Sequence, residues 1–267
     1  MKDKERISVH LPAEHHHLQV KQVSVSGSAS SPTLIFLHDA LGSIAQWGSF
    51  PEKLANRCRL NAFIYERAGH GNSSFLPRVR NKEYLHREAL EILPELLQQL
   101  RIQRPILIGH SDGGTIALIY AAYHQPTAII TEAAHAFVEE ITLDGIRDAL
   151  SRKAFLLPKL ARFHGDKTEA LFDAWADTWL DGHFQDWSME SLLPRITCPA
   201  LIIQGSEDQY GTMEQVRRIV NGIGPGAEAF EIKQCGHIPH RQAEGIVLEK
   251  MAVFIEKTLR ASTSPAK

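Results

Sequence analysis

Cysteine is scarce. The 267 residues hold three, Cys58, Cys198 and Cys235, and a sparse, odd set does not build a disulfide scaffold. It fits reduced thiols that fill packing space. A surplus of positive charge is also missing. The formal net charge is -2 at pH 7, which leaves no broad basic excess to neutralise phosphates, so nucleic acid is not an expected partner. No apolar run approaches the roughly 20 residues that span a bilayer. The opening Met1-Lys2-Asp3-Lys4-Glu5-Arg6 is followed by no apolar stretch of the kind a secretory leader needs. These absences make a cytoplasmic location the expectation. No internal repeat is visible. What is present is ordinary globular composition, 43% hydrophobic and 22% charged, in a length suited to one large domain.

From Thr33 onward, short apolar runs alternate with longer helical patterns. Residues 33–38, 61–65, 105–110, 127–131 and 199–204 are apolar at successive positions, as strands buried between two helix layers are. Helical spacing marks 43–57, 82–100 and 113–125 between them. This βαβα rhythm predicts a mostly parallel sheet covered on both sides. Residues 17–27 alternate Leu18, Val20, Val23 and Val25 with polar residues and read as a half-exposed edge hairpin or strand. The rhythm breaks over 136–194, where Trp175, Trp179, Trp187, Phe155, Phe163, Phe172 and Phe184 sit in helical patterns. That segment reads as a helical insertion over the sheet. The division expected is a core of 1–135 with 195–267 and an insertion of 136–194. The pattern resumes with a strand at 199–204, a helix at 212–221, a strand at 228–234, a closing helix near 241–260 and a frayed tail from Ala261.

The segment 106–118 carries the strongest chemical signal. An apolar strand runs into Gly109-His110-Ser111-Asp112-Gly113, and an Ala- and Leu-containing helix leaves it. A serine on so sharp a strand-to-helix turn is forced into a strained backbone, and residues two away approach closely enough to require glycine. The following helix aims free N–H groups at the same point, which favours developing negative charge. This is the context that gives Gly-x-Ser-x-Gly its meaning as a nucleophile turn.

A serine hydroxyl needs a base. His237 follows Gly236 at the exit of the last strand, and His240, three residues on, is the local competitor, read as a surface or supporting histidine. The base needs an orienting carboxylate. Asp208 lies past a glycine turn at the carboxyl end of strand 199–204, where catalytic groups of open α/β sheets gather. Glu132, just past strand 127–131, is a second candidate, with a pocket wall or a salt bridge as its plainer role. The oxyanion needs donors: the Asp112 N–H is one. The second should come from His38-Asp39-Ala40-Leu41-Gly42, with Ala40 ahead of Asp39.

The chain resembles the α/β-hydrolase superfamily in its cap-bearing branch. The resemblance runs from about residue 18 to 258 and rests on HDALGS (38–43), ERAGHGNSS (66–74), GHSDGG (109–114), QGSEDQYG (204–211) and CGHIPH (235–240). It implies an eight-stranded, mostly parallel sheet with a helical cap after the sixth strand, here 136–194. One departure stands out: where the family often has His-Gly, this chain has His38-Asp39.

The resulting expectation is a serine hydrolase acting on a small, largely apolar ester, lactone or thioester, with no metal and no organic cofactor. Phe137, Trp175, Trp179, Tyr210 and His135 are the candidate substrate contacts. A carbon–carbon bond hydrolase of a diketone-like acid is the near alternative, and would want a basic clamp such as Arg67 or Arg152. A ligand-binding receptor and a cofactor-free oxygenase use the same scaffold. His15-His16-His17 would alternate faces on a strand and reads as exposed and without a metal role, and His70 as a loop-fixing residue. The small-molecule partner is as far as the sequence reads; it does not specify the oligomeric state.

Overall fold

The computed structural model describes residues 6–12, 16–25, 31–76 and 80–263. Among the described residues, eight strands form one sheet in the order β1-β2-β4-β3-β5-β6-β7-β8. They are β1 (Arg6–Leu11), β2 (His16–Val23), β3 (Thr33–Leu37), β4 (Ala62–Tyr65), β5 (Pro105–His110), β6 (Ala128–Glu132), β7 (Ala200–Gly205) and β8 (Ala227–Ile232). β2 runs antiparallel to both neighbours, and all other pairs are parallel.

The strand sequences explain why the sheet is buried on both faces. In β5, Ile106 and Ile108 enter one hydrophobic cluster while Leu107 enters the other. In β3, Leu34 and Phe36 alternate with Ile35 and Leu37 in the same way. Side chains of a strand alternate faces, so an unbroken apolar run supplies two cores at once. One face is covered by α1 (Phe50–Cys58) and α10 (Glu244–Thr263), which follows the short α9 (Pro239–Gln242), through Phe50, Leu54, Val247, Met251 and Ile255. The other is covered by α2 (Tyr84–Arg87), a π-helical turn at Glu88–Ile92, α3 (Leu93–Gln99), α4 (Asp112–Tyr123) and α8 (Met213–Ile223).

Between β6 and β7 the chain leaves the sheet for α5 (Glu140–Ser151), α6 (Lys153–His164) and α7 (Thr168–Leu180). Two buried tethers hold these helices to the strand-end loops. His164 Nδ1 accepts from the Gly71 N–H at 3.0 Å while its Nε2 lies 2.9 Å from the Leu41 carbonyl, and Lys167 donates to the Ser73 carbonyl at 2.5 Å.

Three expectations are corrected. In the stretch near 17–27, β2 is half-exposed and part of an edge hairpin, with Leu18, Val20 and Val23 fully buried between exposed and half-buried neighbours, but it is not itself the edge strand, because β1 flanks it. The edge strand is Arg6–Leu11, whose charged start hid the pairing of Ile7 with Val20. Second, His16 is buried while His17 is exposed, because the strand alternates; His15 lies outside the described residues. Third, α10 continues through Thr263, so residues 261–263 are helical. The three cysteines are free, and burial, its main cause, pushes the Cys198 thiol up to about 11. No helix among the described residues is long and apolar enough to cross a membrane.

Candidate active site

The turn between β5 and α4 is built by glycine. Ser111 sits at φ 53°, ψ -119°, a conformation costly for any side-chain-bearing residue. A Cβ on Gly109 would lie 2.1 Å from the Gly113 carbonyl oxygen, and one on Gly113 would lie 2.1 Å from that of Leu37. Only hydrogen fits at either place, so the chain can turn this tightly and lift Ser111 above the sheet end. The first N–H groups of α4 lack intrahelical acceptors and face the same region.

Ser111 lines a cavity of about 140 Å³ with Asp39, Ala40, His110, Asp112, His135, Thr142, Ile146, Trp175, Trp179, Tyr210 and His237. β7 ends at Gly205, where a Cβ would meet the Cys235 and Gly236 carbonyls at 2.2 and 2.3 Å. That close approach brings the Asp208 and His237 loops together. His237 Nδ1 lies 2.9 Å from both carboxylate oxygens of Asp208. The carboxylate also accepts from the Tyr210 N–H at 2.8 Å and from Gln204 Nε2 at 2.7 Å. Burial alone would raise the Asp208 pKa, but the His237 ring and the Tyr210 N–H outweigh it and hold it below the usual carboxylate value. Glu207 is exposed beside it. Among the described residues no hydrogen bond joins Ser111 Oγ to His237; the two share the cavity wall.

Glu132 is engaged elsewhere. Its Oε2 lies 2.5 Å from His240 Nδ1, with both side chains buried. His240 is therefore not a surface histidine. It packs 4.4 Å from Trp47 and does not line the cavity. Glu132 is the partner of a buried histidine and not a pocket wall.

The two backbone N–H groups expected to meet an oxyanion share one anchor. Arg67 is 1% exposed. Its Nη1 donates to Asp112 Oδ2 at 3.3 Å and its Nη2 to the Asp39 carbonyl at 2.7 Å. That carbonyl belongs to the same peptide unit as the Ala40 N–H, so the guanidinium fixes the unit's orientation. The Ala40 N–H has no acceptor among the described residues. Tyr84 donates to Asp112 Oδ2 at 3.0 Å and accepts from Trp179 Nε1 at 2.9 Å, which links the insertion to the start of α4.

Asp39, the departure from the family pattern, has a partner inside the Gly-x-Ser-x-Gly turn. His110 Nδ1 lies 3.2 Å from Asp39 Oδ2, and Nε2 lies 2.7 Å from the His237 carbonyl. An ionised Asp39 and the carbonyl both accept, so the geometry favours a ring that donates from both nitrogens, the imidazolium form. Burial works against that charge, yet Asp39 raises the His110 pKa overall. Burial likewise opposes the Asp39 carboxylate, and the His110 bond brings it below its ordinary value.

Of the expected substrate contacts, His135, Trp175, Trp179 and Tyr210 line the cavity and Phe137 does not. The Phe137 ring sits under the Arg218 guanidinium, 4.0 Å from its centroid, where a bridge to Ser188 turns it away. Neither Arg67 nor Arg152 lines the cavity: Arg67 is committed to Asp112, and Arg152 pairs with Asp148 on the surface. The basic clamp that a carbon–carbon hydrolase would want is not supplied by either. His110, Arg67 in its anchoring role and Tyr84 escaped the sequence reading. An acid where the family carries glycine was the available signal for a buried cationic partner; Tyr84 offered none. Among the described residues no group of three or more His, Cys, Asp or Glu is arranged to hold a metal ion.

Comparison with known proteins agrees with this architecture. A model of the Alpha/beta hydrolase family matches residues 34–249. Serine hydrolase BPHL of Homo sapiens is 30% identical over 171 residues, covering 58% of this chain and 56% of that protein. A proline iminopeptidase of Lactobacillus delbrueckii subsp. bulgaricus is 27% identical over 173 residues, covering 63% and 57%. The chain thus spans little more than half the length of these relatives. The solved structure of the enol-lactonase from Burkholderia xenovorans superposes with a TM-score of 0.74 at 16% identity, over 94% of this chain and all of that one.

Proposed function

We propose, from the premise that this chain belongs to the alpha/beta hydrolase family, that it is a serine hydrolase cleaving a small, largely apolar ester, lactone or thioester through an acyl-enzyme on Ser111. One observation carries the reading. A strained Ser111 at the N-terminus of α4 opens on the same cavity as His237, whose far nitrogen is held by Asp208.

The chemistry follows from the groups present. His237 takes the Ser111 proton as Oγ attacks the carbonyl carbon. The tetrahedral oxyanion accepts from the Asp112 and Ala40 N–H groups. Collapse breaks the bond to the leaving oxygen or sulfur, which takes the proton from His237. Water, deprotonated by the same histidine, then releases the acid and restores Ser111. Asp208 holds the imidazole in the tautomer that leaves Nε2 free to accept. Residues 136–194 act as a cap, since Thr142, Ile146, Trp175 and Trp179 line the cavity on which Ser111 opens. The small volume and the aromatic wall favour a short apolar acyl group.

The test is covalent labelling by a fluorophosphonate, read by intact mass and peptide mapping. A single adduct on Ser111 is expected. Ser111→Ala should fold, take no label and lose about 10^4-fold or more in ester turnover. An adduct that persists in Ser111→Ala would refute the assignment.

A further inference from the structure

Most polar groups on the cavity wall already have partners. Asp39 is bonded by the Leu41 N–H and by His110, Thr142 donates to the Tyr210 carbonyl, and Trp179 donates to Tyr84. His135 is different. It is 3% exposed and lines the cavity; its Nδ1 is fully buried without a hydrogen-bond partner and closed to a ligand, and Nε2, which no described residue bonds, is the ring nitrogen left for one. A buried polar group left unpaired is costly and is rare without a reason.

The ring is held there by design of its surroundings. The His135 N–H donates to Thr115 Oγ1 at 3.1 Å, and Thr115 Oγ1 donates to the His135 carbonyl at 2.8 Å, which pins the backbone to α4. The next residue, Ala136, donates to Gln215 Oε1 at 2.8 Å. Beyond the ring lies Gly211, where a Cβ would come within 3.3 Å of His135 Cε1. Trp179 closes one side at 5.3 Å and the His237 ring stands 6.4 Å away. Burial and then the neighbouring His237 push the His135 pKa down to about 4. At neutral pH the ring is an uncharged imidazole, with one N–H donor and one lone pair.

We infer that His135 is the polar specificity contact of this cavity, and that the preferred acyl group carries an uncharged oxygen, a hydroxyl or ketone, within a few bonds of the scissile carbonyl. The inference rests on the serine-hydrolase reading of the same cavity and adds to it. A neutral ring supplies no countercharge for a carboxylate, whereas a hydroxyl can satisfy either its donor or its lone pair. A site with an unpaired polar group discriminates against the analogue that lacks the partner, because binding that analogue leaves the group unpaired. Gln46, whose Oε1 is also buried without a partner, is one competing wall residue, and Tyr210, whose hydroxyl no described residue bonds, is another.

The experiment compares p-nitrophenyl butanoate with the p-nitrophenyl esters of (R)- and (S)-3-hydroxybutanoate on the purified full chain. The kcat/KM ratio should favour one hydroxy enantiomer by about tenfold, the worth of one good hydrogen bond. His135→Phe should bring the ratio to about one, His135→Gln should restore part of it, and Gln46→Leu should leave it standing. A wild-type ratio near one overturns the inference, as does a ratio unchanged in His135→Phe or lost only in Gln46→Leu. If His135→Phe does not fold, the wild-type ratio and His135→Gln decide. Butanoate hydrolysis that depends on Ser111 but shows no hydroxyl preference removes this inference alone. Absence of hydrolysis together with absence of Ser111 labelling removes the hydrolase reading and this one with it.

Discussion

The Asp208 carboxylate, with a fully buried side chain, meets His237 through both oxygens, while Glu132 spends its carboxylate on His240. The two acids at strand ends therefore make different predictions. Asp208→Asn presents the wrong partner to Nδ1 and should lower turnover by about 10^3–10^4-fold with little change in fold. Glu132→Gln should keep turnover within a few-fold and instead lower stability by about 1–3 kcal/mol through its buried partner. Steady-state kinetics and urea unfolding of both variants check this; a crippled Glu132→Gln beside a normal Asp208→Asn would reverse the assignment. The Asp39–His110 pair carries a pH signature. The Asp39 pKa lies below its unfolded value, so its contribution is present above about pH 3.9 and lost as pH falls through the folded value. The His110 pKa lies above its unfolded value, so its contribution is complete below about 6.5 and lost as pH rises through the folded value. Glu132, His237 and His240 also face His110 but are retained in a His110→Gln variant. The stability gap between wild type and His110→Gln, measured by thermal unfolding, should be widest near pH 5–6 and narrow by pH 9. A gap that widens toward pH 9 would contradict an imidazolium at this position.

Among the elements, the buried parallel strands were legible because their apolar residues must serve two cores at once, as Ile106, Leu107 and Ile108 do. β1 was not, since Arg6, Ser8 and His10 break its run and its apolar residues acquire meaning only opposite β2. The Ser111 turn was legible for a local reason: glycine on both sides of a serine between strand and helix is demanded by the backbone itself. Phe137 was misread because the side a residue faces after a strand depends on where the insertion returns, here the bridge to Ser188. Arg67 and Tyr84 were not recognised as anchors of Asp112, because that cluster joins residues 28 and 45 positions apart. The turn gives an element-scale prediction. Gly109→Ala drives a methyl into the Gly113 carbonyl at 2.1 Å, and should cost at least the about 1–3 kcal/mol typical of overpacking. Gly182→Ala meets nothing within 4 Å and should stay within about 0.5 kcal/mol of wild type. Equal unfolding midpoints for the two variants would mean that the turn is not as tight as its geometry indicates.

For the molecule as a whole, the strand ends are, on the proposed reading, a floor and the 136–194 helices a roof, and the volume between them is what a substrate would meet. That volume is about 140 Å³, close to the roughly 150 Å³ of an engineered protein cavity that holds benzene. Each methylene of an acyl chain that fits should gain about 0.8 kcal/mol, or roughly fourfold in kcat/KM, and the first that does not fit should end the rise. Across straight-chain p-nitrophenyl esters from acetate to decanoate, kcat/KM should therefore peak at a short chain and then fall. The roof is where that peak can be moved. Ile146 on α5 is 1% exposed and lines the cavity, so Ile146→Ala should shift the peak toward longer chains. Its core cost of about 2–5 kcal/mol requires stability to be measured on the same preparation. Phe137→Ala is the counterpart from the same segment, because Phe137 packs on Arg218 away from the cavity, and should leave the peak where it was. A wild-type preference for octanoate or longer would place the acyl group outside this cavity. A peak moved by Phe137→Ala and not by Ile146→Ala would mean that the insertion acts on specificity through its attachment to the core rather than by walling the substrate in.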